Sequence, residues 1–301
     1  MKRAVIMGAT SGMGWEVAKI LASKGWTLGI AARREEKLKE LKMLCLGLNS
    51  KDETYQNSRD NNSDDGTNEK GAFISRQRIE YQVIDIEQEN APELLKTLIG
   101  KIGGMDLYFH GSGVGWQNPE LEPQTELKTC AVNTVGFTRM VIAAWQYFKD
   151  IQEKSGDEEE RMDDNPHGKN VMDISSAGHI AVISSIAGTK GMGTAPSYSA
   201  TKSFDNTYIQ ALVQLTHKTR LEDGRRLKIR FTDIRPGFVD TPLLDTTKHH
   251  YPMLMDPVKV SRKIVRAIER KKRVAVIDWR YNILVFLWRL IPNCIWERIK
   301  L

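Results

Sequence analysis

The sequence has little cysteine, and its cysteines are scattered. Cys45, Cys130 and Cys294 are the three cysteines of the 301 residues, an odd number without a recurring spacing. A disulfide framework and a cysteine-based metal site are therefore excluded as the basis of this fold. His249 and His250 stand apart from other ligand types, so we also expect no metal centre.

A long apolar run is absent as well. The most apolar stretch, residues 281–292, is interrupted by Arg289 and Pro292 and is shorter than the roughly 20 residues that a spanning helix needs. Met1 and two basic residues lead directly into an apolar run, so we expect no signal peptide. These absences, with the sparse cysteines, predict a cytoplasmic protein.

The chain does contain enough apolar residues for a substantial core, because they make up 41% of its 301 residues. Strand-like apolar runs alternate with helical patterns, which predicts a parallel sheet covered by helices on both faces. Ligands of such sheets bind where the strands end, and Gly8, Asp85, His110, Ser185 and Pro236 all lie at or just after a strand end. The strand-like runs are residues 4–7, 28–31, 80–84, 107–110, 180–184 and 228–234.

A glycine-rich turn follows the first of these runs. Gly8, Gly12 and Gly14 have the spacing GxxxGxG, and a helical apolar pattern begins directly after them. The free N–H groups and the dipole at a helix N-terminus attract an anion, and glycine allows the backbone to approach a pyrophosphate closely. The turn therefore predicts a dinucleotide phosphate site.

A second motif pairs a phenol with an ammonium group. Tyr198 and Lys202 lie four residues apart, and Ser185 precedes the tyrosine by thirteen residues. Residues four apart share one face of a helix, so the two side chains would point into the same cleft. A nearby ammonium favours the phenolate form, which suits Tyr198 to donate and accept a proton near neutral pH. The motif therefore predicts a proton-transfer enzyme.

Taken together, the motifs resemble the single-domain branch of the short-chain dehydrogenase/reductase family. The resemblance rests on the glycine spacing and on Asn133, Ser185, Tyr198 and Lys202, and it runs from about residue 2 to about residue 277. It implies one Rossmann-type α/β domain over residues 1–301, with a doubly wound parallel sheet of about seven strands in the order 3-2-1-4-5-6-7. It also implies an NAD(P)-dependent oxidoreductase that forms a homodimer or homotetramer.

The resemblance also implies roles for single residues. Tyr198 would protonate a carbonyl oxygen, Ser185 rather than the neighbouring Ser184 would hydrogen-bond that oxygen, and Lys202 would bind the nicotinamide ribose. Asn133 would hold a water for the proton relay. The residues implied at the dinucleotide are Gly8, Thr10, Ser11, Gly12, Met13, Gly14, Arg33, Arg34, Asp85, Ile86, Gly111, Gly113, Tyr198, Lys202, Pro236, Gly237, Val239 and Thr241.

The chain departs from the family pattern after the fourth strand. The family often has Asn-Asn-Ala-Gly there, whereas this chain has His110, Gly111, Ser112 and Gly113. Gly113 keeps the close backbone approach, but the missing asparagine puts local rigidity in doubt. For His110, we favour a structural position at the end of a buried strand over a catalytic role.

Cofactor preference is predicted from the end of the second strand. An NAD enzyme of this fold usually has an acid there, which binds the ribose 2′-hydroxyl. This chain has Ala32, followed by Arg33 and Arg34. A 2′-phosphate needs space and positive charge, and a guanidinium can pair with it bidentately. We therefore predict NADP(H) over NAD(H), although the arginines also begin a charged helix.

The segment 242–257 follows Thr241 and is predicted to form a lid. Its apolar side chains favour a hydrophobic ketone or alcohol as substrate. Alternatively, these side chains only seal the lid to the core. The apolar residues are Leu243, Leu244, Tyr251, Met253, Leu254 and Met255, with Val114, Trp116 and Met192 expected in the same pocket.

Three segments lie outside this compact pattern. Residues 48–71 are polar and without a period, so we expect a mobile insertion. Residues 149–177 begin with eight acids and three bases within 149–164, and we expect a helix extension followed by a solvated loop that, like 48–71, could bind a partner. Residues 278–301 form a basic and apolar extension that suits either a membrane surface or packing on protein. No nucleic-acid-reading motif is present, so no nucleic acid is expected as a partner.

Three functions are compatible with the sequence. We favour an NADPH-dependent reductase that converts a hydrophobic carbonyl compound, its small-molecule partner, to an alcohol. A catalytically silent NADP(H)-binding regulator or scaffold is disfavoured, because the tyrosine, lysine, serine and asparagine are all intact. An epimerase or dehydratase on the same fold is disfavoured, because such relatives usually have GxxGxxG and a larger C-terminal substrate domain.

Overall fold

A computed structural model describes residues 2–56, 78–162, 178–244 and 251–299. Seven parallel strands form one sheet in the order β3-β2-β1-β4-β5-β6-β7, which confirms the predicted fold and strand order. The strands are β1 (Arg3–Met7), β2 (Thr27–Ala32), β3 (Ile79–Val83), β4 (Leu107–His110), β5 (Gly178–Ile183), β6 (Ile229–Pro236) and β7 (Val274–Ile277).

Helices connect the strands along the chain. A π-helical turn, Ala131–Gly136, joins α4 to α5, and a 3-10 turn, Ile186–Thr189, follows β5. In the described ranges the helices are α1 (Gly12–Ser23), α2 (Glu35–Gln56), α3 (Ala91–Lys101), α4 (Pro123–Cys130), α5 (Phe137–Met162), α6 (Pro196–Lys218), α7 (Pro257–Glu269), α8 (Trp279–Leu290) and α9 (Asn293–Trp296).

Two buried cores lie on opposite faces of the sheet. Successive side chains of a strand point to opposite faces. Accordingly, Ile6 of β1 packs in the core that includes residues of α1, α7 and α8, whereas Val5 and Met7 pack in the core that includes residues of α3, α5 and α6. Because both faces are covered, the strands are apolar along most of their length.

The strand register aligns the carboxyl ends at one edge of the sheet. Met7 of β1 pairs with Ala31 of β2 and with His110 of β4. His110 in turn pairs with Val182, next to the last residue of β5. The segments that follow these strands therefore start side by side, and they contain the predicted site residues.

The three unusual segments begin as regular structure. α2 continues to Gln56, so the helix extends into the predicted insertion 48–71, and the rest of that insertion lies outside the described residues. α5 continues to Met162, after which the described chain resumes at residue 178. α8 and α9 occupy the C-terminal extension. Across the described ranges, no helix combines the length and apolarity needed to cross a bilayer.

Candidate active site

The glycine-rich turn lies between β1 and α1. Gly8 has a φ of +85°, and a Cβ atom there would lie 2.5 Å from the main-chain nitrogen of Ser112. A Cβ atom on Gly14 would collide with the carbonyl oxygen of Gly8, so only glycine lets α1 approach the turn this closely. Ser11 precedes α1, and its side chain forms no capping hydrogen bond with that helix. The first main-chain amides of α1 are therefore available to bind an anion at this turn.

Arg33 and Arg34 follow β2 but differ in their contacts. The Nη2 atom of Arg34 donates to the carbonyl oxygen and to the hydroxyl of Thr10, both at 3.1 Å, so Arg34 secures the glycine-rich turn. Arg33 is exposed, and its guanidinium lies 4.0 Å from the carboxylate of Glu87, which is too far for a hydrogen bond. Arg33 is therefore the more available cation beside the small residue Ala32.

The segment after β3 is fixed by local contacts. Asp85 accepts a hydrogen bond from the amide of Glu87 at 3.1 Å. The side chain of Ile86 packs so closely on Gly136 that a Cβ atom on this glycine would lie 2.8 Å from it. The carboxylate of Glu87 pairs with Lys128 at 2.6 Å, much more tightly than with the neighbouring arginine. This segment thus adjoins the end of β2, as the parallel pairing requires.

Asn133 lies in the π-helical turn rather than in a regular α-helix. Its Oδ1 atom accepts from the Val114 amide at 2.9 Å, and its Nδ2 atom donates to the Val114 carbonyl at 2.7 Å. Nδ2 also donates to the hydroxyl of Thr201 on α6, at 3.2 Å. Asn133 therefore holds the chain after β4 in position against α6. Such π-turns occur frequently at functional sites.

The two serines after β5 have different environments. The Ser184 hydroxyl is buried and donates a hydrogen bond to the carboxylate of Asp233 on β6, so it connects β6 to the end of β5. The Ser185 oxygen accepts from the Ala187 amide at 3.0 Å, and its own proton has the carbonyl of Pro236 at 3.5 Å as a distant acceptor. Of the two, the Ser185 hydroxyl is the one available to a molecule in the cavity described below.

Tyr198 and Lys202 lie on α6, as the spacing predicts. The Nζ atom of Lys202 lies 6.0 Å from the centroid of the Tyr198 ring. It donates to the carboxylate of Asp205 at 2.9 Å and to the carbonyl of Ile183 at 3.2 Å. Lys202 and Asp205 are both buried, and the Oδ1 atom of Asp205 has no hydrogen-bond partner among the described residues. The ammonium is therefore held by a buried ion pair directly behind the tyrosine.

The charges of this pair follow from opposing effects. Burial lowers the pKa of Lys202, but the carboxylate of Asp205 and the phenol of Tyr198 outweigh it and the pKa is raised overall. Burial raises the pKa of Asp205 to about 6, although Lys202 acts in the opposite direction. We take the pair as ionised at neutral pH, because the lysine keeps its proton and the carboxyl has lost its own.

His110 is buried at the end of β4. Its Nδ1 atom lies 2.9 Å from the hydroxyl of Tyr108, and its Nε2 atom has no hydrogen-bond partner among the described residues. Phe137 contacts the imidazole edge-on, with ring centroids 5.1 Å apart. Burial, together with the nearby ammonium of Lys202, lowers the pKa of His110 to about 3. The imidazole is therefore neutral at neutral pH.

Two buried histidines predict a loss of stability in acid. Burial lowers the pKa of His110 to about 3 and that of His179 to about 4, so the unfolded chain gains two protons that the folded chain excludes. Asp205, whose pKa is raised to about 6, has the opposite effect, because there the folded chain binds one proton that the unfolded chain lacks. Between about pH 6 and pH 4, the free energy of unfolding should thus fall by about 1.4 kcal/mol per pH unit.

Urea unfolding at several pH values measures this slope. His110→Asn should flatten it, whereas substitution of the exposed His217, as His217→Gln, should leave it unchanged. A free energy of unfolding that does not change with pH, or a slope unaffected by His110→Asn, would contradict the assignment.

Half of the predicted site residues line one cavity of about 450 Å³ at the carboxyl edge of the sheet. Gly113 lies next to both Asn133 and Lys202, because a Cβ atom on it would lie 3.4 Å from Asn133 Oδ1 and 3.7 Å from Lys202 Nζ, at ordinary contact distances. The predicted site residues that line the cavity are Met13, Gly111, Gly113, Ser185, Tyr198, Lys202, Pro236, Gly237, Val239 and Thr241. Those outside its lining are Gly8, Thr10, Ser11, Gly12, Gly14, Arg33, Arg34, Asp85, Ile86 and Asn133.

The predicted lid contributes only part of its apolar residues to this cavity. Met255 is buried in the core and Met253 packs against that core, so these two residues seal the segment to the core. Leu254 is partly exposed. Residues 245–250 lie outside the described part of the chain. The expected apolar residues that do line the cavity are Leu243, Leu244, Tyr251, Val114, Trp116 and Met192.

Sequence reasoning missed two residues of the site. Trp288 of α8 lines the cavity, and its ring lies 5.4 Å from that of Trp296, centroid to centroid. Trp296 donates through its indole nitrogen to the carbonyl of Gly191 at 2.7 Å, which ties the C-terminal helices to the loop before α6. The other missed residue is Asp205, the partner of the lysine. The apolar pattern of residues 281–292 was compatible with a membrane surface or with packing on protein, and nothing local marked its contact with the cavity.

Comparison with known sequences identifies relatives of the chain. A family model for the short chain dehydrogenases matches residues 168–252. An uncharacterized oxidoreductase of Mycobacterium tuberculosis is 26% identical, over 97% of this chain and 94% of the relative. An uncharacterized oxidoreductase of Myxococcus xanthus is 23% identical, over 98% of this chain and 95% of the relative.

Comparison with solved structures identifies the same architecture. A short-chain dehydrogenase from Sphingobium yanoikuyae, in complex with NADPH, superposes with a TM-score of 0.65 at 16% identity, covering 100% of this chain and 97% of the other. An alcohol dehydrogenase from Thermococcus sibiricus, complexed with 5-hydroxy-NADP, gives 0.63 at 20% identity, covering 92% and 95%. A 3-ketoacyl-(acyl-carrier-protein) reductase from Brucella melitensis, complexed with NADH, gives 0.63 at 20% identity, covering 91% and 95%.

The parallel sheet, its strand order and the cavity at its carboxyl edge define a Rossmann-type α/β fold. The region matched by the family model contains Ser185, Tyr198 and Lys202, and the relatives that match almost the whole chain are named oxidoreductases. These findings support the assignment of the chain to the short-chain dehydrogenase/reductase family of oxidoreductases.

Proposed function

We propose that this protein reduces a hydrophobic ketone to an alcohol with NADPH as the cofactor. The observation that carries the proposal is the position of Ser185, Tyr198 and Lys202 on one cavity whose remaining wall is largely apolar. A hydroxyl donor, a phenol and a fixed cation are the groups that polarise and protonate a carbonyl oxygen. An apolar wall suits the carbon skeleton of the substrate.

The chain offers a cradle that fits a nicotinamide dinucleotide. Side chains are excluded at Gly8 and Gly14 by neighbouring backbone, so at these two positions the turn ahead of α1 presents main chain only. Thr241 lies beside Gly12, within 3.3 Å of the position its Cβ atom would take, which connects this turn to the cavity. We propose that these residues hold the pyrophosphate and the nicotinamide end, with Asp85 and Ile86 beside the adenine.

The proposed chemistry divides among four side chains. The bound cofactor supplies the hydride. Tyr198 donates its phenolic proton to the carbonyl oxygen, and Ser185 donates a hydrogen bond to the same oxygen. Lys202, held in place by its buried ion pair, stabilises the phenolate that forms and binds the nicotinamide ribose. Asn133 keeps the chain after β4 in place and holds a water that returns the proton.

The expected substrate is a ketone with a substantial hydrophobic body. Trp116, Met192, Leu243 and Trp288 are among the cavity residues, and they leave few polar partners for a small hydrophilic carbonyl compound. A screen of aromatic, cyclic and acyl-chain ketones, followed at the nicotinamide absorbance, tests the proposal. NADPH consumption should rise with the apolar size of the ketone up to the limit of the cavity. Consumption with none of these ketones, although NADPH binds, would contradict it.

The preference for NADPH is assigned to Arg33. Ala32 leaves room for a 2′-phosphate, and the exposed Arg33 guanidinium is held only at 4.0 Å by Glu87. At equal concentration, NADPH should therefore raise the melting temperature more than NADH does. Arg33→Ala should weaken NADPH binding by about tenfold or more, because a charge-assisted pair is lost, while NADH binding stays the same.

Lys37→Ala is the matched control for this prediction. Lys37 is an exposed cation of α2 that pairs with Glu40 at 2.6 Å, away from the strand end. It should change binding of neither nucleotide. Equal stabilisation of the unmodified protein by NADPH and NADH, or a larger effect of NADH, would overturn the proposed preference.

A further inference from the structure

Helix α8 is largely apolar, with Arg280, Asn282 and Arg289 as its polar residues, but it is packed on one side only. Its inner side carries Tyr281 and Val285, which are buried, and Leu284 and Trp288, which pack against the core. The side of such a helix that faces away from the core is normally polar. Its opposite side, here called the outer stripe, consists of Trp279, Ile283, Phe286, Leu287 and Leu290, which are 68%, 50%, 62%, 50% and 63% exposed.

The outer stripe is a continuous surface rather than a set of scattered residues. Trp279, Ile283, Phe286 and Leu290 are spaced by four, three and four residues, so they stack along one helix face. The helix projects this face away from the core, because the buried residues lie on the opposite side. Contiguous exposed apolar surface of this kind marks an interaction site.

A cationic groove adjoins the start of the outer stripe. The groove, of about 350 Å³, is lined by Trp279 itself and by the exposed cations Lys263, Arg266, Arg270 and Lys272. Its one acidic residue among the described residues is Asp278. The groove therefore contains four cations and one carboxylate.

The charges of the groove are only partly neutralised from within the chain. Asp278 is already shared between Lys263 and Arg280, each at 3.0 Å. Arg266, Arg270 and Lys272 form no ion pair with any described residue. The cationic groove therefore presents uncompensated positive charge next to an exposed tryptophan.

We propose that this side of the protein docks on the surface of an anionic lipid bilayer. The outer stripe lies in the boundary between headgroups and acyl chains, and the cationic groove binds headgroup phosphates. Apolar residues that include tryptophan, next to lysine and arginine, have the composition of interfacial helices. An anionic bilayer attracts each nearby cation, and that attraction falls with added salt.

The charge argues for lipid over a second copy of this chain. A two-fold contact through the outer stripe would use the same patch on both copies. It would therefore place the cationic grooves of both copies at the edge of one contact, where nothing on either stripe neutralises them, and uncompensated like charges at an interface oppose association. An anionic bilayer covers the stripe and neutralises the groove at the same time. The contact does not depend on the reaction proposed above, so a binding assay tests it separately.

Sedimentation of the full chain with vesicles tests the proposal. Vesicles of phosphatidylcholine with phosphatidylglycerol should bind the protein at least about tenfold more tightly than vesicles of phosphatidylcholine alone, and salt should reduce the difference. The double variant Phe286→Gln, Leu290→Gln should weaken binding to anionic vesicles by about tenfold or more. Arg266→Glu should weaken it by a comparable factor.

Two control variants test whether vesicle binding depends on this surface or is non-specific. Leu127→Gln removes an equally exposed apolar residue on α4, and Lys96→Glu reverses an exposed cation on α3. Both should bind vesicles like the unmodified protein. Binding without preference for anionic lipid, or unchanged binding of the outer-stripe variant, would overturn the proposal. So would light scattering that finds a dimer of the unmodified protein and a monomer of that variant, because a second copy would then cover the stripe.

Discussion

Replacement of Tyr198 by phenylalanine is expected to lower the turnover number for ketone reduction by at least about a hundredfold, the usual contribution of a general acid. The substitution removes one oxygen atom and leaves the ring against Gly115, so the wall of the cavity is retained. NADPH should bind as it does to the unmodified protein, because the glycine-rich turn and Arg33 are unchanged. Single-turnover kinetics and a fluorescence titration with NADPH measure the two quantities.

Tyr208→Phe is the matched control for this variant. Tyr208 lies on the same helix, ten residues further on, and stacks on Phe204 at a centroid distance of 5.4 Å. It does not line the cavity. Its replacement should leave turnover unchanged. Ketone reduction by Tyr198→Phe at the unmodified rate would remove the phenol from the proposed chemistry.

Replacement of Asp205 by asparagine should lower the free energy of unfolding by about 3 kcal/mol, because it leaves a buried ammonium without its counter-ion. The Lys202 ammonium and the Asp205 carboxylate are 7% and 1% exposed, so water cannot solvate the remaining charge well. The loss should also displace the lysine from the tyrosine and reduce turnover. Urea unfolding at neutral pH measures the first effect.

Two comparison variants identify the cause of this loss. Asp223→Asn breaks an ion pair with Arg225 that is largely exposed, and it should cost less than about 1 kcal/mol. The double variant Lys202→Met, Asp205→Leu removes both buried charges and should recover most of the stability, although it should not recover turnover. If Asp205→Asn were as mild as the exposed control, the ion pair would not hold the lysine as described.

Much of the fold followed from local sequence patterns. The apolar runs marked six of the strands within a few residues, and the family resemblance supplied the seventh strand and the order. The end of β6 differed from the prediction. The predicted apolar run ended at residue 234, whereas the strand continues to Pro236. At that position β6 has already passed the last residue of β5, Ile183, which pairs with Ile234. On that side, the missing N–H of the proline therefore costs no bond of the ladder.

The site was predictable where it depends on backbone geometry. Glycine spacing and the four-residue separation of Tyr198 and Lys202 specify local conformation, and the register then brings the strand ends together. Partners distant in sequence were not predictable from spacing. The contact of Arg34 with Thr10 and the approach of Trp288 to the cavity depend on packing between elements that no local pattern specifies.

Asp205 shows the same limit at close range. It lies three residues after Lys202, where a carboxylate on a helix is ordinarily a solvated surface group. Only the packing of α6 against β6 and against the 3-10 turn after β5 removes water and converts the pair into a buried one. A separation of three residues brings two side chains together on one helix face, but it does not specify their burial.

The most direct test of the account is a crystal structure of the protein with bound NADPH. The account predicts the pyrophosphate at the turn after β1 and the 2′-phosphate beside Arg33. The nicotinamide ring should lie in the cavity within hydride-transfer reach of a carbonyl that Tyr198 and Ser185 can both contact. A nicotinamide ring placed away from Tyr198, or a cavity without room for it beside Lys202, would contradict the central claim.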